Sequence, residues 1–445
     1  MSIVSKGVAS VGELLAMPVE IPGYQRPYKW QADHVLQLID DVMRHRTRSR
    51  YRLGTVVLHA HGSAIDHAGP ALDVVDGQQR LITLTLLCHA LDTTRQCKLS
   101  LLSREFSSPV TMQNVRHNAA VIEGRLKHIN DADRRELLSF LLHRCELIRI
   151  TLDDLSEAFQ FFDSQNARGK ELEPHDLLKA FHLREMPSES DKQRCIEPWE
   201  AAASADGKQA PLRTIIGDVL FRIRRWSDGQ SGIRFTRRHI GVFKGVSLHA
   251  HTYRFTDSLR ALDCMVDHYN DDPVRRWDRH DMRFPFLLDQ TIINGKRFFE
   301  YVEHYADLYR QLLVAPHPAI STLLGLTRGY TGQGRVGDGY VRNLFHCVLL
   351  YYYDKFGDVE LDRAATMCFV WSYGIRLQQA KVVIESIDNH ARSRTGLFHA
   401  IRRALHPHDL LAFQIEPVKR SNVMKVKGMD ELAASFETLG FLIND

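Results

Sequence analysis

Five consecutive residues, Asp76-Gly77-Gln78-Gln79-Arg80, separate two apolar runs, Ala71 to Val75 and Leu81 to Leu91. The first run reads as a buried strand and the second as a helix, so the polar residues fall on a strand-to-helix turn. The first turn of a helix presents backbone N–H groups with no intrahelical acceptor, and these attract an anion. Gly77 permits a tight turn. Arg80 adds a permanent positive charge suited to a phosphate. Gln78 and Gln79 can position a water or a ribose, and Asp76 can hold a magnesium ion or orient an arginine. The plain alternative is a capped turn with surface polar residues. Five polar or glycine positions in a row between two apolar runs weigh against it.

Two further clusters carry the same kind of chemistry. Tyr24-Gln25-Arg26-Pro27-Tyr28-Lys29-Trp30 puts three aromatic rings, an arginine and a glutamine within seven residues. Tyr24, Tyr28 and Trp30 can stack on a base, Gln25 can hydrogen-bond, and Arg26 can fork onto a phosphate. A proline turn whose aromatics pack in the core is the competing reading. Phe162-Asp163-Ser164-Gln165-Asn166-Ala167-Arg168-Gly169-Lys170 is followed by Leu172, Asp176, Leu177, Leu178 and Lys179. Asn166, Arg168, Gly169 and Lys170 share one loop that can close over a nucleotide. On spacing alone, ordinary loop chemistry is the favoured explanation.

The elements that must position these clusters follow from periodicity. Val35, Leu36, Ile39 and Val42 mark a helix over Gln31 to Arg46. Strands are expected at Arg52 to His59, Ala71 to Val75 and Cys145 to Leu152, with polar helices between Ser107 and His143. Ser156 can cap the helix that carries Phe159, Phe161 and Phe162. Beyond residue 185 strand signals become rare. Helices are expected over Pro211 to Arg225, Asp257 to Tyr269, Gly295 to Leu313, Val341 to Lys355, Leu361 to Leu377 and Gly396 to Leu405. Pro187, Ser188 and Ser190 suggest a linker near Met186 to Arg194. The expected fold class is α+β, with a small αβ domain at 1–186 and a mostly helical domain at 187–445.

In this order and with these spacings, the three clusters resemble the N-terminal domain of the GmrSD-type restriction family. The resembling motifs are Tyr24 to Trp30, Asp76 to Arg80 and Phe162 through Lys179, joined by the strand after Tyr51 and by Phe243-Lys244-Gly245. The resemblance implies a ParB/sulfiredoxin-like αβ core. It also implies that a nucleoside triphosphate is bound and hydrolysed at the Asp-Gly-Gln-Gln-Arg turn with magnesium (Mg2+), coupled to restriction of modified phage DNA. On this resemblance Asp76, Gln78, Gln79 and Arg80 are the catalytic candidates, Gln79 and Arg80 foremost, with Asp76 also the metal candidate. Tyr24, Gln25, Arg26, Tyr28, Trp30, Gly77, Asn166, Arg168, Gly169 and Lys170 are then the nucleotide-binding candidates. Many members carry or recruit a His-Asn-His nuclease. Here His399 and His406-Pro407-His408-Asp409 follow a helical pattern without a strand pair, so the nuclease is expected on a separate subunit.

Composition narrows the remaining classes. The 445 residues carry a net charge of +4, too small for a general nucleic-acid coat, so DNA contact needs local patches. Arg222, Arg224, Arg225, Arg234, Arg237 and Arg238 form one such cluster, and Arg224, Arg225, Arg237 and Arg238 are its DNA-binding candidates. Arg275, Arg276, Arg279 and Arg283 around Trp277 form a second, and Lys419, Arg420, Lys425 and Lys427 a third. Solvated helix faces are the plainer reading of each. Seven cysteines without a C-x-x-C pair speak for reduced thiols rather than a disulfide framework or zinc site. Residues 1–15 lack a secretory pattern and no apolar run reaches a membrane-spanning length, so a cytoplasmic protein without a membrane partner is expected. A homo-oligomer stays open. Gly332-Gln333-Gly334-Arg335-Val336-Gly337 fits a dinucleotide fingerprint by letters only, because a helical pattern rather than a strand precedes it.

The reading is a nucleotide-hydrolysing sensor subunit that acts with a separate nuclease. A non-catalytic reader of modified DNA, a defence-complex scaffold, and a magnesium-dependent nuclease built on Asp40, Asp41 and Asp76 are the alternatives.

Overall fold

A five-stranded mixed sheet organises the first 172 residues. The computed structural model describes all residues except 1–2, 23–24, 26, 62–70, 104–108, 154–172, 205–211, 251–252, 279–280, 315–316 and 445. The chain divides into two units, Met1–Leu172 and Glu173–Asp445.

In the first unit the order is β1 (Ile3–Ser10), α1 (Val11–Ala16), β2 (Val19–Glu20), α2 (Ala32–Arg44), β3 (Tyr51–His61), β4 (Ala71–Asp76), α3 (Gln78–Leu91), α4 (Pro109–Leu126), α5 (Asp131–His143) and β5 (Cys145–Leu152). The strands lie in the order β1-β5-β3-β4-β2. β5 runs parallel to β3, β2 parallel to β4, and the other two pairings are antiparallel. Strand alternation gives the sheet two faces. Val56, Leu58, Val74, Cys145 and Leu147 join the main core with the helices. Val57, Val75, Ile150 and Leu152 form a smaller cluster of their own. At the β1 edge Val4, Lys6 and Val8 are exposed.

α3 is the central helix. Its residues Leu81 to Cys88 are all buried, as expected of a helix apolar on every side. The two threonines inside it bond back to their own helix, Thr83 Oγ1 to the Gln79 carbonyl at 2.9 Å and Thr85 Oγ1 to that of Leu81 at 2.8 Å. Amphipathic α2 instead buries only Val35, Leu38, Ile39 and Val42.

The second unit is mostly helical. Its longer helices are α6 (Pro174–Arg184), α7 (Glu189–Ser204), α8 (Asp257–Asp271), α9 (Lys296–Tyr309), α10 (Val336–Phe356), α11 (Leu361–Gln378) and α12 (Met429–Thr438). Two stretches, Thr214–Leu220 and Arg310–Val314, are π-helical. A short parallel pair, Val418–Lys419 with Leu442–Ile443, lies near the C-terminus. The buried Arg376–Asp338 ion pair, 2.9 Å, ties α11 to the start of α10, and Tyr330 donates to the same carboxylate at 2.6 Å.

The Met186 to Arg194 stretch, expected as a linker, lies within the second unit; only 186–188 fall between α6 and α7, and Glu189 to Arg194 form the first turns of α7. The Gly332–Gly337 stretch leads into α10 from turns that follow the helix Ser321–Leu326, so no strand precedes it.

Candidate functional site

β4 delivers Asp76 to the edge of a left-handed turn. Gly77 has φ +94° and caps α3, and no side chain caps this helix end. A Cβ on Gly77 would stand 2.9 Å from Val56 Cγ2, so glycine is required both by φ and by the closeness of β3. The turn therefore packs tightly on β3.

The two glutamines point inward. Gln79, 8% exposed, accepts from the Lys29 amide at 2.8 Å and the Trp30 amide at 3.2 Å, and its Nε2 donates to the Pro27 carbonyl at 3.1 Å. It clamps the 27–30 segment over the helix start. Gln78 is 6% exposed, and its Oε1 is buried without a hydrogen-bond partner. An unsatisfied buried acceptor is uncommon in folded proteins and marks a place where a donor is missing.

Arg80 lies over β3. Its Nη1 donates to the Thr55 carbonyl at 3.1 Å, and its guanidinium packs on Gly54, where a Cβ would come within 3.0 Å. Gly54 has φ +124° and sits where the β3–β5 register shifts. Burial pushes the Arg80 pKa below its ordinary value, and the charge of Asp76 opposes that shift. Asp76 and Arg80 are thus electrostatic neighbours. Gln25 joins the same end of the sheet, its Nε2 donating to the Val75 carbonyl at 2.7 Å.

Tyr28 corrects one expectation. It is 0% exposed, and its hydroxyl lies 2.8 Å from Thr83 Oγ1 and accepts from Asn118 Nδ2 at 3.0 Å. Its amide donates to Thr111 Oγ1, and its carbonyl accepts from Asn114. Burial raises the phenol pKa. A ring with no exposed face cannot stack on a base, so Tyr28 anchors the segment instead. Trp30 is half-buried, stacked on His34 at 5.9 Å between ring centres, and its carbonyl accepts from Asn118. Tyr24, Arg26, Asn166, Arg168, Gly169 and Lys170, with Ser156 and Phe159 to Leu172, lie outside the described residues.

The structure therefore brings Gln25, Tyr28, Trp30, Asp76, Gly77, Gln78, Gln79 and Arg80 to one end of the sheet. The reading of single residues missed Gly54, Thr83 and Asn118. Gly54 had a signal, a glycine inside a strand pattern; the two helical polar residues had none.

The arginine cluster of the second unit divides. Arg224 Nη1 donates to the carbonyls of Leu288 at 2.7 Å and Gln290 at 3.1 Å. Arg225 Nε donates to the Ser231 carbonyl at 2.9 Å, and its Nη1 reaches the Gln230 side chain. These two half-buried guanidiniums hold loops in place. Arg237 is half-buried and Arg238 exposed. Among the described residues no group of three or more His, Cys, Asp or Glu is arranged to hold a metal ion. His406 and Asp409 close a capping box on the short helix Pro407–Leu411. No described helix is long and apolar enough to cross a membrane.

The GmrSD restriction endonuclease N-terminal domain matches residues 11–183, from α1 to the end of α6. A family of unknown function, DUF7834, matches residues 191–428, more than half of the chain. The chain belongs to the DUF7834 family and carries a GmrSD-type N-terminal domain. On that domain the protein takes part in a restriction system. No curated protein matches the chain. The GmrSD-type domain holds the whole Asp76–Arg80 turn and its clamp on residues 27–30, while the DUF7834 region holds the arginines that staple its own loops.

Proposed function

We propose that the GmrSD-type domain binds a nucleoside triphosphate at the Asp76–Arg80 turn and hydrolyses it as a switch, in a subunit that senses DNA and acts with a separately encoded nuclease. The observation that carries the reading is the uncapped start of α3 behind Gly77, with Arg80 and Asp76 beside it. Backbone amides and a guanidinium are the donors that a polyphosphate needs. Asp76 is the residue that would hold magnesium, an ion bound through one or two carboxylates plus substrate phosphates; bound there, it would neutralise phosphate charge. The unpartnered Gln78 Oε1 suits a ribose hydroxyl or an amino group of a base. For a switch, binding energy must differ between two states of the protein.

A specific observation favours a second reading, binding without turnover. Gln79 is committed to Pro27, Lys29 and Trp30, so its amide is not free to orient an attacking water.

Phosphate release from each of the four ribonucleoside triphosphates, with magnesium and with or without DNA, tests the proposal. Turnover by the intact chain that disappears in Arg80→Ala, while the variant keeps its thermal stability, is the expected result. No turnover under any condition overturns hydrolysis; calorimetric binding of a non-hydrolysable triphosphate would then support the second reading.

A further inference from the structure

Within the DUF7834 region a cavity of about 530 Å³ opens between α7, α9 and the π-helical stretch Thr214–Leu220. This size falls within the range of small-molecule pockets. Trp199, Phe299, Leu212, Ile215 and Val302 give it an apolar wall, each of them buried. Three irregularities of the helices converge on it. Pro198 sits inside α7, and Ile215 on one side with Arg310 and Val314 on the other come from the two π-helical stretches. Such turns break regular packing and recur at functional sites. The indole N–H of Trp199 is buried and has no hydrogen-bond partner. Cys195 also lines the cavity, but burial pushes its thiol up to about 12, so it stays protonated and is no nucleophile.

The mouth has a defined charge balance. Arg194 pairs with Asp191, Arg310 with Asp307, and Lys296 with Asp267 at 3.2 Å and Glu300 at 3.7 Å. Every basic side chain of the mouth is thus spoken for within the protein. Glu303 has no ion pair among the described residues, and Glu300 and Asp307 flank it on the same helical face, one turn away on each side.

We propose that this cavity binds a small amphipathic amine, with its apolar or aromatic body against Trp199 and Phe299 and its protonated nitrogen at the Glu303 carboxylate. Charge complementarity selects the cation: Asp191, Glu300 and Asp307 are already paired with Arg194, with Lys296 and Arg297, and with Arg310, so Glu303 is the one charge of the mouth left for a ligand among the described residues. Partial burial and the neighbouring Asp307 and Glu300 carboxylates hold the Glu303 carboxyl above its ordinary range, against the opposing charge of Arg283, and a bound cation would favour its ionised form. The site is independent of the nucleotide reading.

Titration calorimetry of the full chain at neutral pH, with 2-phenylethylamine beside the neutral 2-phenylethanol, tests the proposal. The amine is expected to bind about fivefold more tightly than the alcohol. Glu303→Gln should bring the amine down to the alcohol's affinity without changing thermal stability. Ala306→Phe, which places a ring in the cavity, should abolish binding of both. Equal affinity for amine and alcohol, or amine binding that survives both substitutions, overturns the proposal. So does the absence of binding up to about 10 mM, near the weak end for a ligand of this size.

Discussion

Gln79 and Tyr28 show how two polar residues of a signature can serve the fold. Gln79 makes three hydrogen bonds to the backbone of residues 27–30, and the Tyr28 hydroxyl sits between Thr83 and Asn118. Losing a buried hydroxyl that satisfies two partners costs about 1–2 kcal/mol. Tyr28→Phe is therefore expected to lower stability by that amount in urea denaturation and to leave nucleotide affinity, measured by calorimetry, unchanged. A ring that stacked on a base would show the opposite pattern. At this scale the sequence reveals residue types and their order. It does not reveal that the partners of Gln79 lie about 50 positions upstream, because side-chain direction is settled by packing. The same limit applies to Arg224 and Arg225, which read as a basic patch and turn out to donate to nearby carbonyls.

Elements were more legible than residues, for a physical reason. Cys145 to Leu152 is a strand at the bounds that its β-branched run suggests, and α3 follows the apolar run after the turn. Burial in a core enforces the period of an element, so the period is written into the sequence. Among the elements that escaped were α7, whose start read as a linker, α12, and β1 and α1. β1 lies at the sheet edge with Val4 and Val8 exposed, and α1 has only six residues; neither carries a full amphipathic pattern. The turn itself was legible through Gly77. Its φ of +94° and the 2.9 Å approach of Val56 predict that Gly77→Ala destabilises the first unit by about 1–3 kcal/mol. Hydrogen exchange should show the loss as faster exchange of the amides in β3, β4 and α3, with the second unit unaffected. Equal protection in the variant would mean that the backbone accommodates alanine there.

At the scale of the whole molecule, the change from mixed sheet to helices was legible from the disappearance of strand signals, but it was expected at residue 186, whereas the units divide at Leu172 and Glu173, so that the helix Pro174–Arg184 belongs to the second. The buried polar networks of the second unit were not legible. Asp354 of α10 accepts from Tyr305 at 2.6 Å and from the Leu288 amide at 2.8 Å. Burial, with Asp289 nearby, pushes its carboxyl up to about 6. The unfolded chain gives up this proton near pH 4. The folded pKa is thus raised, so the group's contribution is full below about pH 4 and is lost as pH rises through 6. The amount is on the order of 2–3 kcal/mol. Four of the five tryptophans, Trp199, Trp226, Trp277 and Trp371, belong to the second unit, so a Trp30→Phe background makes fluorescence a reporter of that unit alone. In that background the urea midpoint is expected to fall between about pH 5 and pH 7.5. Asp354→Asn should flatten the fall, and an unchanged slope would show that the carboxyl titrates normally.

The exposed row Val4, Lys6 and Val8 on β1 also bears on handling the protein in concentrated solution. An edge strand offers unpaired backbone groups to any other strand, and two valines on one side make that offer sticky. Lys6 sits between them. Its charge discourages a second copy from lying alongside. A charge-removing change at Lys6 is therefore expected to act through self-association rather than through loss of fold.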